Sequence, residues 1–228
     1  MKFNFNDGKG PVPAHKHANG GGWVSNTASV ADSAYVGSNA SVFGDATVSE
    51  NAKVFEDAAV YGNARVCGNA QISENAIVFS KAVVEGKARV FGSSLIFGDA
   101  KVYGNATVSG LVLVFGSPQI FENAVVSEHA EVYGYAKIYG EALVSGDARV
   151  SGNVKVFANA NVSENATVFG NATVSENAAV YGYAWVYGYA KVFGDAAVYG
   201  NARVFGDATV SENTTVYGNA KISGENGC

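Results

Sequence analysis

Aliphatic residues recur along this chain with a period of six. Every sixth residue from Val24 to Ile222 is Val or Ile, which gives 34 positions without an insertion or a deletion. The residue two positions earlier is Ala in 28 of these 34 hexads. The exceptions are Gly22, Ser94, Val112, Pro118, Val154 and Thr214. A period of six does not hold one face of an α-helix, so the pattern predicts short extended segments.

Each hexad reads Asn/Asp-Ala-x-Val-y-Gly/Glu, where x and y vary. Ala and Val lie two residues apart on one side of a strand, so we expect them to face inward and x and y to face outward. Gly, Asn and Asp at the two positions after y tolerate a left-handed backbone and predict a corner. Such short strands cannot form hairpins but can coil and stack. Three hexads per coil predict about 11 coils and a rod about 50 Å long.

The hexad resembles the hexapeptide repeat of bacterial left-handed parallel β-helices, in which an aliphatic residue recurs every six residues and a small residue lies two before it. Uncharacterised bacterial and phage proteins with runs of the type NARVYG resemble it most. The resemblance implies an all-β, single-domain triangular solenoid of 18-residue coils without insertion loops. The left hand comes from the resemblance alone, since crossovers are usually right-handed. We expect an irregular cap (1–22), the β-helix (23–223) and a short tail (224–228).

The composition does not indicate a particular class of binding partner. The formal net charge is −5, which is mild for 228 residues and gives no strong signal for nucleic acid or for an anionic membrane. Cys67 and Cys228 do not make a disulfide framework, so a reducing compartment is the simpler expectation. The start, MKFNFNDGKG, lacks the apolar stretch of a signal peptide, and no apolar window is long enough for a membrane span. We therefore expect a cytoplasmic protein.

The three histidines are the candidates for catalysis or metal binding. Well-known members of the superfamily are trimeric acyltransferases with a His general base, a loop that interrupts the coils and acyl-CoA between neighbouring rods. His129 occupies a corner slot and is a weak candidate for such a base, whereas a solvated corner residue is the simpler interpretation. His15 and His17 have His-x-His spacing in PVPAHKHANGGGW, but without a third ligand they are weak metal candidates. We predict no catalytic residue, metal or cofactor.

One side of the predicted coil carries a cluster of large apolar residues at outward positions. With 18 residues per coil, its x positions include Ile77, Leu95 and Leu113 in three consecutive coils, and Phe79, Phe97 and Phe115 are the y residues beside them. Leu111 replaces a polar corner residue in the same region. Soluble monomers seldom expose a continuous patch of this kind. It predicts a homo-oligomer interface, dimer or trimer, with a site for another protein or a ligand as the alternative.

A second side carries aligned cations at x, which are Arg65, Lys101, Lys137, Lys155 and Lys191. Acidic corner residues lie between them, so a solvated face balanced by Asp and Glu is the simpler interpretation. The alternative is an anion site, a groove for phosphate or nucleotide between two rods. The third side has no single chemistry.

The sequence favours a non-enzymatic scaffold that self-associates and presents its outer faces to a partner. One alternative is a hexapeptide-family acyltransferase. Another alternative is an anti-defence or regulatory protein that binds a nucleotide or a host protein. It is suggested by the phage-like resemblance and by the aligned cations of the second side, which are called the lysine row.

Overall fold

The structure is a computed structural model that describes residues 1–224, and these residues form 36 short strands. In chain order the strands are β1 (Lys2–Phe3), β2 (Val12–Lys16), β3 (Trp23–Ser25), β4 (Ser29–Val30), β5 (Tyr35–Val36), β6 (Ser41–Val42), β7 (Thr47–Val48), β8 (Lys53–Val54), β9 (Ala59–Val60), β10 (Arg65–Val66), β11 (Gln71–Ile72), β12 (Ile77–Val78), β13 (Val83–Val84), β14 (Arg89–Val90), β15 (Leu95–Ile96), β16 (Lys101–Val102), β17 (Thr107–Val108) and β18 (Leu113–Gly116). They continue with β19 (Gln119–Ile120), β20 (Val125–Val126), β21 (Glu131–Gly134), β22 (Lys137–Ile138), β23 (Leu143–Val144), β24 (Arg149–Val150), β25 (Lys155–Val156), β26 (Asn161–Val162), β27 (Thr167–Val168), β28 (Thr173–Val174), β29 (Ala179–Val180), β30 (Trp185–Val186), β31 (Lys191–Val192), β32 (Ala197–Val198), β33 (Arg203–Gly206), β34 (Thr209–Val210), β35 (Thr215–Val216) and β36 (Lys221–Gly224).

Every third strand joins the same sheet. Sheet 1 contains β1, β2 and each third strand from β3 to β36, sheet 2 runs from β4 to β34, and sheet 3 runs from β5 to β35. Within the coils each outward residue pairs in parallel with the residue 18 positions later, as Ile77 does with Leu95. The predicted triangular arrangement of about eleven 18-residue coils is confirmed. The left hand stays a prediction of the resemblance.

The core consists of two inward columns on each sheet. Every inward Val and Ile from Val36 to Val204 is fully buried, and the residue two positions before it, usually Ala, is buried with it. Parallel sheets bury such aliphatic columns well because each side chain packs on the equivalent one in the next coil. Ile222 is 38% exposed, because no later coil covers it among the described residues.

The corners correct one detail of the sequence analysis. The first position after y has a positive φ at every corner from Gly44 to Gly218, and at many corners it is Glu rather than Gly. None of the Asn and Asp residues at the following position adopts this conformation in the described coils. The left-handed backbone therefore falls on Gly or Glu at all of these corners except two, which have Ser80 and Ala158.

A carboxylate hydrogen bond accompanies several of these Glu corners. Glu122 Oε2 accepts the backbone N–H of Gly140, the equivalent corner residue one coil later, at 2.8 Å. The carboxylates of Glu56, Glu128, Glu164 and Glu176 accept the N–H of the equivalent residue in the same way. The bond satisfies a corner donor and offsets the steric cost of a left-handed non-Gly residue.

The N-terminal segment covers the first coil. β1 pairs antiparallel with β2, and β2 pairs antiparallel with β3, so the segment adds two strands to sheet 1. Phe3 stacks on Trp23 with ring centroids 4.2 Å apart, and Phe5 stacks on Phe43 at 4.7 Å. The predicted tail, residues 224–228, lies outside the described residues apart from Gly224, and Cys228 lies outside them as well.

Candidate functional site

The apolar side chains predicted on the first side lie together on sheet 1. Ile77 pairs directly with Leu95, and Leu95 pairs directly with Leu113. Their neighbours Phe79, Phe97 and Phe115 stack face to face, with centroids 4.9 and 5.3 Å apart. All six are half-buried by one another and keep part of their surface in water. These residues and Leu111 are called the apolar patch below.

The apolar patch has clear limits on the rod. Leu111, in the corner that leads into Leu113, is 56% exposed and is the most exposed aliphatic side chain of the patch. Glu131 pairs with Leu113 on one side of the patch and forms an ion pair with Arg149 at 3.5 Å. On the other side, Ile77 pairs with Ala59. Along the row of x residues, the patch is therefore bounded by an ion pair at one end and by Ala59 at the other.

Aromatic y residues form continuous ladders along the rod. The ladder on sheet 1 runs through Phe43, Tyr61, Phe79, Phe97, Phe115 and Tyr133, with centroids 4.7 to 5.3 Å apart. A second ladder on sheet 2 contains Tyr103, Phe121, Tyr139 and Phe157. Both faces of each inner ring are covered by its neighbours, so the ladders stabilise the coils and leave only ring edges to solvent.

The cations predicted on the second side lie in one row on sheet 2. Lys137 and Lys155 are direct partners in the sheet. One strand with an uncharged outward residue separates Lys101 from Lys137, and another separates Lys155 from Lys191. The set of equivalent outward positions on one strand is called a rung below. Arg65 lies two coils before Lys101 in the same row. No salt bridge joins any of the five to an acidic residue within residues 1–224. The acidic corners therefore do not pair with this row.

His129 lies at an exposed corner beside the apolar patch. Its Nδ1 is 3.2 Å from Asp147 Oδ1, and both side chains are more than half exposed. A carboxylate at Nδ1 orients an imidazole and directs Nε2 away from it, as in catalytic dyads. Sequence reasoning did not find this pairing because Asp147 follows 18 residues later at an ordinary corner position.

His15 and His17 point to different partners. His15 Nδ1 is 3.2 Å from Asn26 Oδ1, whereas His17 is buried and its Nε2 is 3.0 Å from the carbonyl oxygen of Ala34. Among the described residues, no group of three or more His, Cys, Asp or Glu side chains is arranged to hold a metal ion. The structure thus places these two histidines in the N-terminal packing.

Comparisons with known proteins find similarity in the repetitive part of the chain. A family model described as the YdcK beta solenoid repeat matches residues 58–74, 196–212 and 202–218. The chain is a β-solenoid built on a six-residue repeat. A crystal structure of Francisella novicida UDP-N-acetylglucosamine acyltransferase is similar to the solenoid at 15% identity and a TM-score of 0.40, covering 71% of this chain and 62% of that chain. No curated protein matches the sequence. Within residues 1–224 of the solenoid, no helix could cross a membrane.

Sheet 3 of the solenoid carries a cavity that sequence reasoning missed. The cavity has a volume of about 530 Å³ and lies next to the N-terminal segment. Its lining residues are Asn19, Ser33, Tyr35, Asn51, Lys53, Phe55 and Gln71. Three segments on the third side of the coil could have indicated this site from the sequence. They read KVF at residues 53–55, QIS at 71–73 and RVF at 89–91, so a cation and an aromatic ring occur in the coils before and after a Ser.

Proposed function

We propose that the protein is a non-enzymatic solenoid scaffold that self-associates through the apolar patch and presents its other faces to a partner. The observation that carries this proposal is the apolar patch itself. Three of its four aliphatic side chains and its three aromatic rings lie on adjacent strands with no charge among them, and they remain partly exposed. Apolar surface of this extent, rimmed by the Glu131–Arg149 ion pair, is typical of an interaction site.

A second copy of the chain is the occupant that the patch favours. Leu and Phe side chains on a flat sheet pack well against a like surface, and the stacking of rings in the patch fixes their positions before association. The patch pairs with itself in an isologous dimer, and a cyclic trimer is another closed arrangement. In the isologous dimer the rows on sheets 2 and 3 stay accessible to a partner.

Light scattering on the wild-type protein and Leu95→Glu tests this interface. Leu95 is the centre of the patch, so a buried, unpaired carboxylate there should convert the oligomer to a monomer. Thr167→Glu is the matched control, because Thr167 occupies the same outward position on sheet 1, outside the patch. It should keep the oligomer. A monomeric wild type, or an oligomeric Leu95→Glu that is folded by circular dichroism, would refute the proposal.

The His129–Asp147 contact favours a second candidate function, acyl transfer. A general base oriented by a carboxylate is what deprotonation of an acceptor hydroxyl or amine requires. The test is hydrolysis or transfer from a panel of acyl-CoA thioesters with the wild type, His129→Ala and Asp147→Asn. Turnover by the wild type that both variants lose would establish the enzyme and overturn the non-enzymatic scaffold. Turnover that persists in both variants, or is undetectable in the wild type, would reject these two residues as a catalytic pair.

A further inference from the structure

The aromatic ladders contain places where a ring is replaced by Ser, and one such place is filled by a ring from elsewhere. In the ladder of sheet 1 the position before Phe43 is Ser25. Phe5 from the N-terminal segment stacks on the free face of Phe43, at 4.7 Å and an interplanar angle of 21°. The molecule thus shows that a planar ring from outside the repeat can occupy the rung above a Ser.

Ser73 on sheet 3 creates an equivalent rung that no ring of the described chain fills. The strand before Ser73 pairs with the strand before Phe55 on one side and with the strand before Phe91 on the other. Neither ring stacks on another ring within residues 1–224, whereas most ladder rings do. Two strand spacings separate Phe55 from Phe91, about 9.6 Å. One planar ring inserted between them would have the same spacing as a ladder ring.

A polar and basic row lies directly beside this rung. Lys53, Gln71 and Arg89 are the x residues of the same three strands, with Gln71 in the middle. Lys53 and Arg89 are exposed, and neither forms a salt bridge in the described part of the chain. The Arg89 guanidinium lies over the Phe91 ring, 5.3 Å from its centroid. Two cations therefore flank an amide on one side of the unfilled rung.

The opposite side of the rung is acidic. Glu56 and Glu74 follow Phe55 and Ser73 at the corners, and the Glu56 carboxylate accepts the backbone N–H of Glu74 at 2.7 Å. A ligand between the rings is thus in a directional field, with its negative end favoured toward Lys53 and Arg89. The cavity of about 530 Å³ adjoins the same row through Lys53, Phe55 and Gln71, and its size is that of a small-molecule site.

From this arrangement we propose that the solenoid binds a nucleotide on sheet 3. The base occupies the rung over Ser73 between Phe55 and Phe91, because every nucleobase has a planar face that stacks on aromatic rings. The Gln71 amide is placed to hydrogen-bond the base edge, and Lys53 and Arg89 bind the phosphate. The site lies on a different sheet from the apolar patch, so it does not depend on self-association.

Two other Ser residues that lie between rings differ from Ser73. Ser151 lies between Tyr133 and Phe169 in the ladder of sheet 1, and Ser175 lies between Phe157 and Phe193 on sheet 2. They are buried, at only 9% and 6% exposed, and neither lines the cavity on sheet 3. Ser73 keeps a larger exposed fraction and is the one beside the cavity.

Calorimetric titration with the four ribonucleoside 5′-monophosphates tests the site. Ser73→Phe should place a ring in the rung, keep the fold and weaken binding of the tightest monophosphate at least tenfold. Ser145→Phe is the matched control, since Ser145 is a y residue of sheet 3 several coils away and lies between the coils of Ser127 and Ser163. It should leave binding unchanged. Failure of all four monophosphates to bind the wild type, or wild-type binding by a folded Ser73→Phe, would overturn the proposal.

A second titration tests the proposed phosphate contacts. The double variant Lys53→Gln, Arg89→Gln should weaken the monophosphate at least tenfold and bring its affinity close to that of the nucleoside. Inorganic phosphate alone should not compete at concentrations that saturate the monophosphate, because it cannot stack. Equal affinity of the wild type and the double variant, or displacement of the monophosphate by inorganic phosphate, would contradict the assigned roles.

Discussion

The corner residue after y determines how each hexad turns. Its φ is positive at every corner from Gly44 to Gly218, a conformation in which a Cβ normally costs energy. Gly avoids that cost, and Glu56, Glu122, Glu128, Glu164 and Glu176 offset it with a hydrogen bond to the next coil. Ala158 has φ of 58° and neither advantage. It is therefore a strained corner of the solenoid.

Two substitutions at corners should change stability in opposite directions. Ala158→Gly should raise the free energy of unfolding by about 1 kcal/mol, because it removes the left-handed penalty. Gly92→Ala should lower it by more than about 1 kcal/mol, since the added Cβ would lie 2.5 Å from the backbone N of Gly110 as well as in a left-handed residue. Urea unfolding of both variants checks this. A Gly92→Ala protein as stable as the wild type would show that the corner relaxes freely.

The strands contribute few residues each, so the ladders between strands provide much of the cohesion of the coils. Most strands contain two residues, and one strand alone buries little apolar surface. Stacked rings connect successive coils on the outside, while Val and Ala columns connect them inside. Hydrogen-bonded Asn side chains, such as Asn159 with Asn177, add a polar ladder at the corners.

Removing a ring from the middle of a ladder should cost more than removing one without stacked neighbours. Tyr139 stacks on Phe121 and Phe157, each at 4.9 Å, whereas Phe193 has no stacked ring among the described residues. Tyr139→Ala should therefore lower the free energy of unfolding by about 0.5–1.5 kcal/mol more for each lost pair than Phe193→Ala does. Urea titrations of the two variants measure the difference. Equal losses would mean that the ladders add nothing beyond burial.

The whole rod combines one repetitive interior with three different exteriors. Each coil contacts only its neighbours, so stability is close to a sum over coils and their interfaces. The apolar patch, the lysine row and the Phe55–Phe91 rung occupy different sheets, which lets one scaffold carry separate binding sites. Beneath the apolar patch Ser94 and Val112 replace Ala in the inward column, and both are fully buried.

Alkaline pH should destabilise the rod. Burial raises the pKa of Tyr61, Tyr103, Tyr139 and Tyr181 above the ordinary value of 10.0. A raised pKa in the folded state means that the native protein holds these protons more tightly than the unfolded chain does. Their contribution is complete below pH 10.0 and is lost as the pH rises through the folded-state pKa. Thermal unfolding between about pH 8 and pH 11 should show the fall, and Tyr103→Phe with Tyr139→Phe should reduce it.

The sequence was enough to predict the period, the three sides and the inward columns, because an unbroken repeat of six leaves one way to bury every Val and Ala. It also placed Ile77, Leu95 and Leu113 on one side, since 18 residues per coil follow from three hexads. The left-handed corner residue was assigned too broadly, because Asn and Asp favour that conformation in isolation while the hydrogen bond of Glu to the next coil forms only on stacking.

The sites that join distant residues needed the folded molecule. His129 meets Asp147, and the N-terminal segment brings Asn19 to the cavity beside Lys53, because stacking and capping place them there. The ring of Phe5 above Ser25 likewise depends on how residues 1–22 cross sheet 1, and no repeat extends into that segment to predict its path. A strict repeat specifies the contacts between equivalent positions. Contacts outside the repeat depend on side-chain packing in three dimensions, and the unfilled rung at Ser73 was recognisable only from such a contact.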